Sequence, residues 1–133
     1  MNAMPFGLSE NPELRNQLVT RREQLRGEIS AALRGSGSAD YATLAGRVHG
    51  LGEESLSDLL TDVRLAGIAR DVQEVRDIEA ALQRRQAGTY GVCADCGKLI
   101  SLARLRVYPT AKRCRPCQEI REKTRQAVHT AIV

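Results

Sequence analysis

Two C-x-x-C pairs, Cys93-Ala-Asp-Cys96 and Cys114-Arg-Pro-Cys117, stand 17 residues apart and constrain the fold more than any other feature of the chain. Each pair sets two sulfurs on one tight turn, and a short connector brings the second pair back to the first. That is the ligand arrangement of a tetrahedral zinc ion with metal–sulfur distances of about 2.3 Å. A thioredoxin-like redox pair calls for a low-pKa cysteine opening a helix within alternating strands and helices, and no such alternation is visible here. An iron–sulfur cluster also takes four thiolates, but two symmetrical knuckles joined by a short, Lys- and Arg-bearing connector favour zinc. Cys93, Cys96, Cys114 and Cys117 are therefore expected to hold one structural Zn²⁺. With four protein ligands the ion has no open position for water or substrate.

The rest of the chain reads as helix. Asn11-Pro12-Glu13 is a helix start, and Leu14, Leu18, Leu25, Ile29 and Ala32 or Leu33 then recur as a narrow apolar stripe up to Gly35-Ser36-Gly37-Ser38. From Ala39 to Gly52 a short helix or irregular loop is expected. A second long helix is predicted from Ser55, where Ser55-Leu56-Ser57-Asp58 resembles a capping box, to about Ala87, with Gly88 as its stop. From Leu65 its apolar spacing approaches a 3.5-residue period, although Glu79 rather than Ile78 takes the strict heptad position. Two such stripes bury little unless they face each other, so the simplest arrangement is an antiparallel helical hairpin. The expected organisation is a flexible tail over 1–12, the hairpin over 13–87 with its tip near 35–55, and a zinc finger with a C-terminal helix over 88–133. The fold class is mainly α.

Composition narrows the function. Of 133 residues 27% are charged and only 3% aromatic, and no apolar run approaches the roughly 18 residues that span a bilayer. The N-terminus lacks the pattern of a secretory signal, which points to the cytosol, where cysteines serve metals more often than disulfides. Residues 13–87 carry eleven Arg and twelve acidic residues, whereas residues 98–125 carry nine Lys or Arg against Glu119 and Glu122. This basic segment could contact nucleic-acid phosphates or the acidic rim of a large enzyme. Stacking aromatics are limited to Tyr90 and Tyr108, which argues against single-strand recognition. No reactive constellation is present, neither His49 nor His129 is assigned to metal or catalysis, and no enzymic activity is expected.

The run Gly88-Thr-Tyr-Gly-Val-Cys-Ala-Asp-Cys-Gly97, followed by Arg104-Leu105, Pro109-Thr-Ala111 and Cys114-Arg-Pro-Cys117, resembles the zinc-finger signature of the DksA/TraR family. The close match runs from Gly88 to Cys117, and the first 50 residues match only in helical character. The resemblance implies a zinc module at the base of a protruding antiparallel coiled coil. It also implies a transcription regulator that enters the secondary channel of bacterial RNA polymerase, often with the alarmone ppGpp, and does not read promoter DNA directly. Family members carry D-x-x-D-x-A at the tip; the matching stretch here is Gly50-Leu-Gly-Glu53-Glu54-Ser55, with Gly, Glu and Ser at the three motif positions. Glu53, Glu54 and Asp58 are the candidate tip carboxylates, and they equally suit the positive N-terminal end of the second helix. The competing readings are a zinc-finger protein that binds nucleic acid through its basic module, and a structural adaptor of the same fold.

Overall fold

Asn11 opens the longest helix of the chain. Its side-chain oxygen accepts from the Leu14 amide at 3.1 Å, and Pro12 takes the first helical position, as the sequence predicts. The computed structural model describes residues 4–52 and 54–132, and the side chains of 7–52 and 54–128. In chain order the helices are α1 (Met4–Ser9), α2 (Pro12–Arg34), α3 (Ala39–His49), α4 (Leu56–Leu59), α5 (Ala69–Ala87), α6 (Leu102–Val107) and α7 (Arg115–Ile132). Among the described residues the β pairing is confined to an isolated antiparallel bridge between Val92 and Leu99.

The expected stripe on α2 is the spine of the core: Leu14, Leu18, Leu25, Ile29 and Leu33 are all buried. Helix α5 runs antiparallel along its N-terminal half. There Arg21 Nε meets Glu74 Oε2 at 2.7 Å, and Arg85 donates to the carbonyls of Leu8 and Asn11 at 3.4 and 3.0 Å. The hydrogen bond from Arg21 holds the Glu74 carboxyl below its ordinary range. The stability of this pair is thus present above the ordinary carboxylate pKa and lost as pH falls through the lowered one. Because the two side chains are 42% and 38% exposed, the pair is worth no more than about 1 kcal/mol.

Helix α3 turns back along the C-terminal half of α2. Gly35 ends α2, and Ser38 caps α3 by accepting from the Tyr41 amide at 3.2 Å. Ser30 Oγ donates to the Ala45 carbonyl at 3.2 Å. Arg26, only 9% exposed, donates to the carbonyls of Val48 and Leu51 at 3.0 and 3.1 Å, which sets a cation against the negative end of α3.

The single second helix predicted over 55–87 is broken, because the partner is too short for it. A straight helix of that span would run about 50 Å beside an α2 of about 35 Å, leaving Leu56 and Leu60 with nothing to pack on. Instead the chain turns over residues 60–68, with Gly67 at φ +95°, and Leu56, Leu60 and Ile68 are all buried. Glu79 secures the fold-back. Its carboxylate accepts from the Leu56 and Ser57 amides at 2.8 and 3.2 Å and from the Ser55 and Ser57 hydroxyls. The residue that interrupts the heptad pattern is thus the one that caps α4.

Residues expected as a tail include helix α1, whose Leu8 seats on the backbone of Gly91. Gly91 is buried at φ +83°, and a Cβ there would lie 2.6 Å from Leu8 Cδ1.

Two predictions follow from these contacts. Glu79→Gln keeps the size but weakens the acceptor, and it is expected to cost about 1–3 kcal/mol and to speed amide exchange at Leu56 and Ser57 while leaving α2 protected. Gly91→Ala is expected to lower Tm through both the left-handed φ and the Leu8 contact, and adding Leu8→Ala is expected to restore only the steric part, read as non-additivity in a double-mutant cycle.

Candidate metal centre

Gly88, left-handed at φ +78°, ends α5 and donates its amide toward the Arg84 and Arg85 carbonyls. The chain then passes under Tyr90, which is fully buried; its hydroxyl donates to the Pro109 carbonyl at 2.7 Å, and the Arg85 guanidinium lies 5.7 Å from its ring centre. This one side chain ties the start of the finger to the loop before the second cysteine pair. The Ile100 amide donates to the Gly91 carbonyl at 2.7 Å and the Cys93 amide to Lys98 at 2.8 Å. The Ala94 amide reaches Lys112 at 2.9 Å, so the two knuckles are joined through backbone. Gly97, at φ +76°, lets the first knuckle reverse. Between the knuckles the sequence leaves open small strands or irregular loops; the structure has the Val92–Leu99 bridge and helix α6, capped by Ser101.

The four cysteine sulfurs lie within 4.8 Å of one another, and Cys96 Sγ is 3.8 Å from Cys114 Sγ. A tetrahedron of sulfurs about 2.3 Å from a central zinc has edges of about 3.8 Å, so the donor set fits that ion in chemistry and in size. Burial opposes ionisation of Cys93, but hydrogen bonds from the backbone at Cys96, Cys114 and Asp95 outweigh it and bring its pKa to about 6. Cys117, hydrogen-bonded to Cys114 and facing the other sulfurs, is pushed up to about 12. Four thiolates this close need a cation, and the site binds one structural zinc.

Asp95, inside the first knuckle, had no role in the sequence reading. In the structure its carboxylate accepts from Arg113 Nε at 3.0 Å and from Arg121 Nε and Nη2 at 3.1 and 3.3 Å. The hydrogen bond from Arg121, with the charge of Arg113, holds this carboxyl below the usual range. Arg113 directly precedes Cys114, and Arg121 lies two helical turns beyond it. That spacing around an acid-bearing knuckle was the signal available in the sequence.

Of the candidate tip carboxylates, the structure places two. Glu54 and Asp58 line a cleft on the flank of the hairpin together with Arg15, Arg22, Arg76 and Glu79; Glu53 lies outside the described residues. Asp58 also stands in the first turn of α4, its amide bonded to Ser55 Oγ at 3.1 Å, which matches the helix-start alternative. The end of α2 remote from the finger is instead formed by the turn at Gly35–Ser38 and by the 60–68 segment, joined where Tyr41 Oη accepts from the Arg64 amide at 3.0 Å. Asp40 and Asp62 stand beside these two joined residues in the chain.

Comparison with known proteins agrees with this geometry. Residues 88–123 match the model of the prokaryotic dksA/traR C4-type zinc finger. The chain is 41% identical over 71 residues to the RNA polymerase-binding transcription factor DksA of Caulobacter vibrioides, covering 52% of this chain and 49% of that protein. It is 36% identical over 66 residues to an uncharacterised protein of Aquifex aeolicus, covering 50% of this chain and 41% of that one. The matched stretch thus spans less than half the length of each of these curated relatives. Over the whole fold, the structure of transcription factor DksA2 from Pseudomonas aeruginosa superposes with a TM-score of 0.58 at 26% identity, covering 90% of this chain and 91% of that one.

Removing one ligand tests the centre. Cys114→Ser is expected to drop zinc from one per chain to well below one and to unfold residues 88–117. The helical signal should fall by no more than the share of α6 and α7, because α2, α3 and α5 have their own core. Elemental analysis and circular dichroism read the two effects, and chelation of the wild type is expected to reproduce them.

Proposed function

We propose that this chain, whose residues 88–123 match the dksA/traR C4-type zinc finger, is a member of that family that binds bacterial RNA polymerase and regulates transcription through the secondary channel. The observation that carries the reading is the likeness to transcription factor DksA2 over about nine-tenths of both chains, hairpin and finger together. The Caulobacter relative, named for polymerase binding, supports it. In this reading the helical hairpin enters the channel, the finger stays outside against the enzyme's rim, and any ppGpp response arises at the shared interface. The zinc, saturated by thiolates, shapes the finger and takes no part in chemistry, so regulation acts by contact and charge and not by catalysis. Promoter DNA is not read directly.

The placement of the acids sharpens the proposal. Asp40 and Asp62 adjoin Tyr41 and Arg64, which join the end of the hairpin remote from the finger, whereas Glu54 and Asp58 line a cleft on its flank and form the second candidate set with Glu53. A carboxylate alters open-complex stability only where it comes near a cation or a basic loop of the polymerase, and an end-on approach favours the pair adjoining the far end.

Gel filtration and fluorescence titration with purified core polymerase are expected to show a one-to-one complex at micromolar concentration or tighter; no complex at about 10 μM overturns the reading. Asp40→Asn with Asp62→Asn is expected to keep binding within about threefold and to lose most of the effect on transcription from a ribosomal promoter. Glu53→Gln with Glu54→Gln is expected to bind and regulate like wild type, at a cost of a few tenths to about 1 kcal/mol in helix stability. The opposite pattern in transcription would return the regulatory role to Glu53 and Glu54.

A further inference from the structure

The large apolar side chains left exposed among the described residues all lie between Leu99 and Val128. Single exposed apolar residues are ordinary on a protein surface, but a contiguous group rimmed by polar residues marks a contact site. Leu99, Val107 and Tyr108, which are 39%, 87% and 49% exposed, form such a group. With Ala103 and Pro116 they line one open groove of about 620 Å³ between α6 and the start of α7. Arg104 and Arg115 are its cations, Ser101 and the zinc ligand Cys114 complete the lining, and no carboxylate lines it.

The two arginines are placed to receive an anion. Arg104 Nε donates to the Arg113 carbonyl at 3.1 Å, and its guanidinium lies 5.4 Å over the Tyr108 ring, which fixes the group while leaving its terminal nitrogens without a partner among the described residues. Arg115 is 80% exposed and shares its charge only with Glu119, one turn along the helix, an arrangement that is weak in water.

We propose that this groove is a docking site for an acidic protein segment that inserts an apolar side chain between α6 and α7 and sets its carboxylates on Arg104 and Arg115. An apolar floor beside two arginines selects both features together, and the joint requirement is what decides among occupants. A nucleic acid would use the cations but has no aliphatic group for the recess at Leu99 and Val107, and Arg104 already covers one face of the Tyr108 ring. The proposal does not rest on the polymerase reading and is tested without polymerase.

The test is fluorescence anisotropy on the full, zinc-loaded chain with a short labelled peptide of Leu set among Glu, its Gln-for-Glu and Ser-for-Leu counterparts, and a short single strand of RNA. The Glu/Leu peptide is expected to bind, and each counterpart to bind about tenfold more weakly. Val107→Ser with Tyr108→Ser is expected to weaken the Glu/Leu peptide about tenfold, and Arg115→Gln to weaken it about threefold and to flatten its salt dependence. Zinc content and circular dichroism should stay at wild-type values, since these side chains are largely exposed. Failure of the Glu/Leu peptide to bind, or binding that ignores the Val107/Tyr108 change, overturns the proposal. So does tighter binding of the RNA that the same change abolishes, which assigns the groove to nucleic acid. A wild-type dimer in sedimentation that the change dissolves also overturns it, by giving the groove to a second copy of the chain.

Discussion

The finger exists because four sulfurs can be brought to the corners of one tetrahedron. Its own buried groups amount to Tyr90, Cys93, Ile100, Leu105 and Ala111, too little apolar surface to order thirty residues against their conformational entropy. Metal ligation supplies the difference, and the backbone is arranged to let it do so: amides point at the Cys93 sulfur, glycine allows the knuckle to reverse, and one bond from Ala94 to Lys112 joins the halves. Everything attached to the finger inherits that order. Tyr90 holds the Pro109 loop, Leu8 packs over Gly91, and Asp95 aims α7.

The hairpin is governed by a mismatch in length. Helix α2 ends at Gly35, and an apolar pattern extending from Leu56 to Leu82 asks for a longer partner than it offers. The excess is absorbed by folding Leu56 and Leu60 back, with α3 covering the far half of α2 and Arg26 satisfying the end of α3. The result is thicker than a two-stranded coiled coil, and it carries Glu54 and Asp58 along its side.

Local chemistry was readable in the sequence wherever a residue acts on its own neighbours. The Asn11 and Ser55 caps, the stripe on α2 and the stop at Gly88 are short-range, the four cysteines come as two short motifs, and each appears where the residues indicate. The break at 60–68 was not readable, because helical periodicity records which face is apolar and says nothing of where the facing helix stops. Glu79 looked like a flaw in a heptad for the same reason: its partners are 22–24 residues away in sequence. The placement of Glu54 and Asp58 follows from that break. Asp95 lies within the first knuckle, and its partners Arg113 and Arg121, 18 and 26 residues away, are brought to it only by the fold that zinc imposes.

Helix α7 has no other helix packed along it among the described residues, and its side chains from Glu119 to Val128 are exposed. Its direction is therefore set at its root, where Cys114 and Cys117 join the metal and Arg121 meets Asp95. An 18-residue helix is about 27 Å long, so a rotation of about 10° at the knuckle displaces the far end by about 5 Å. Geometry makes the zinc site the pivot of this helix: a sub-ångström adjustment among the sulfurs would be a displacement as large as a side chain at the far end of α7.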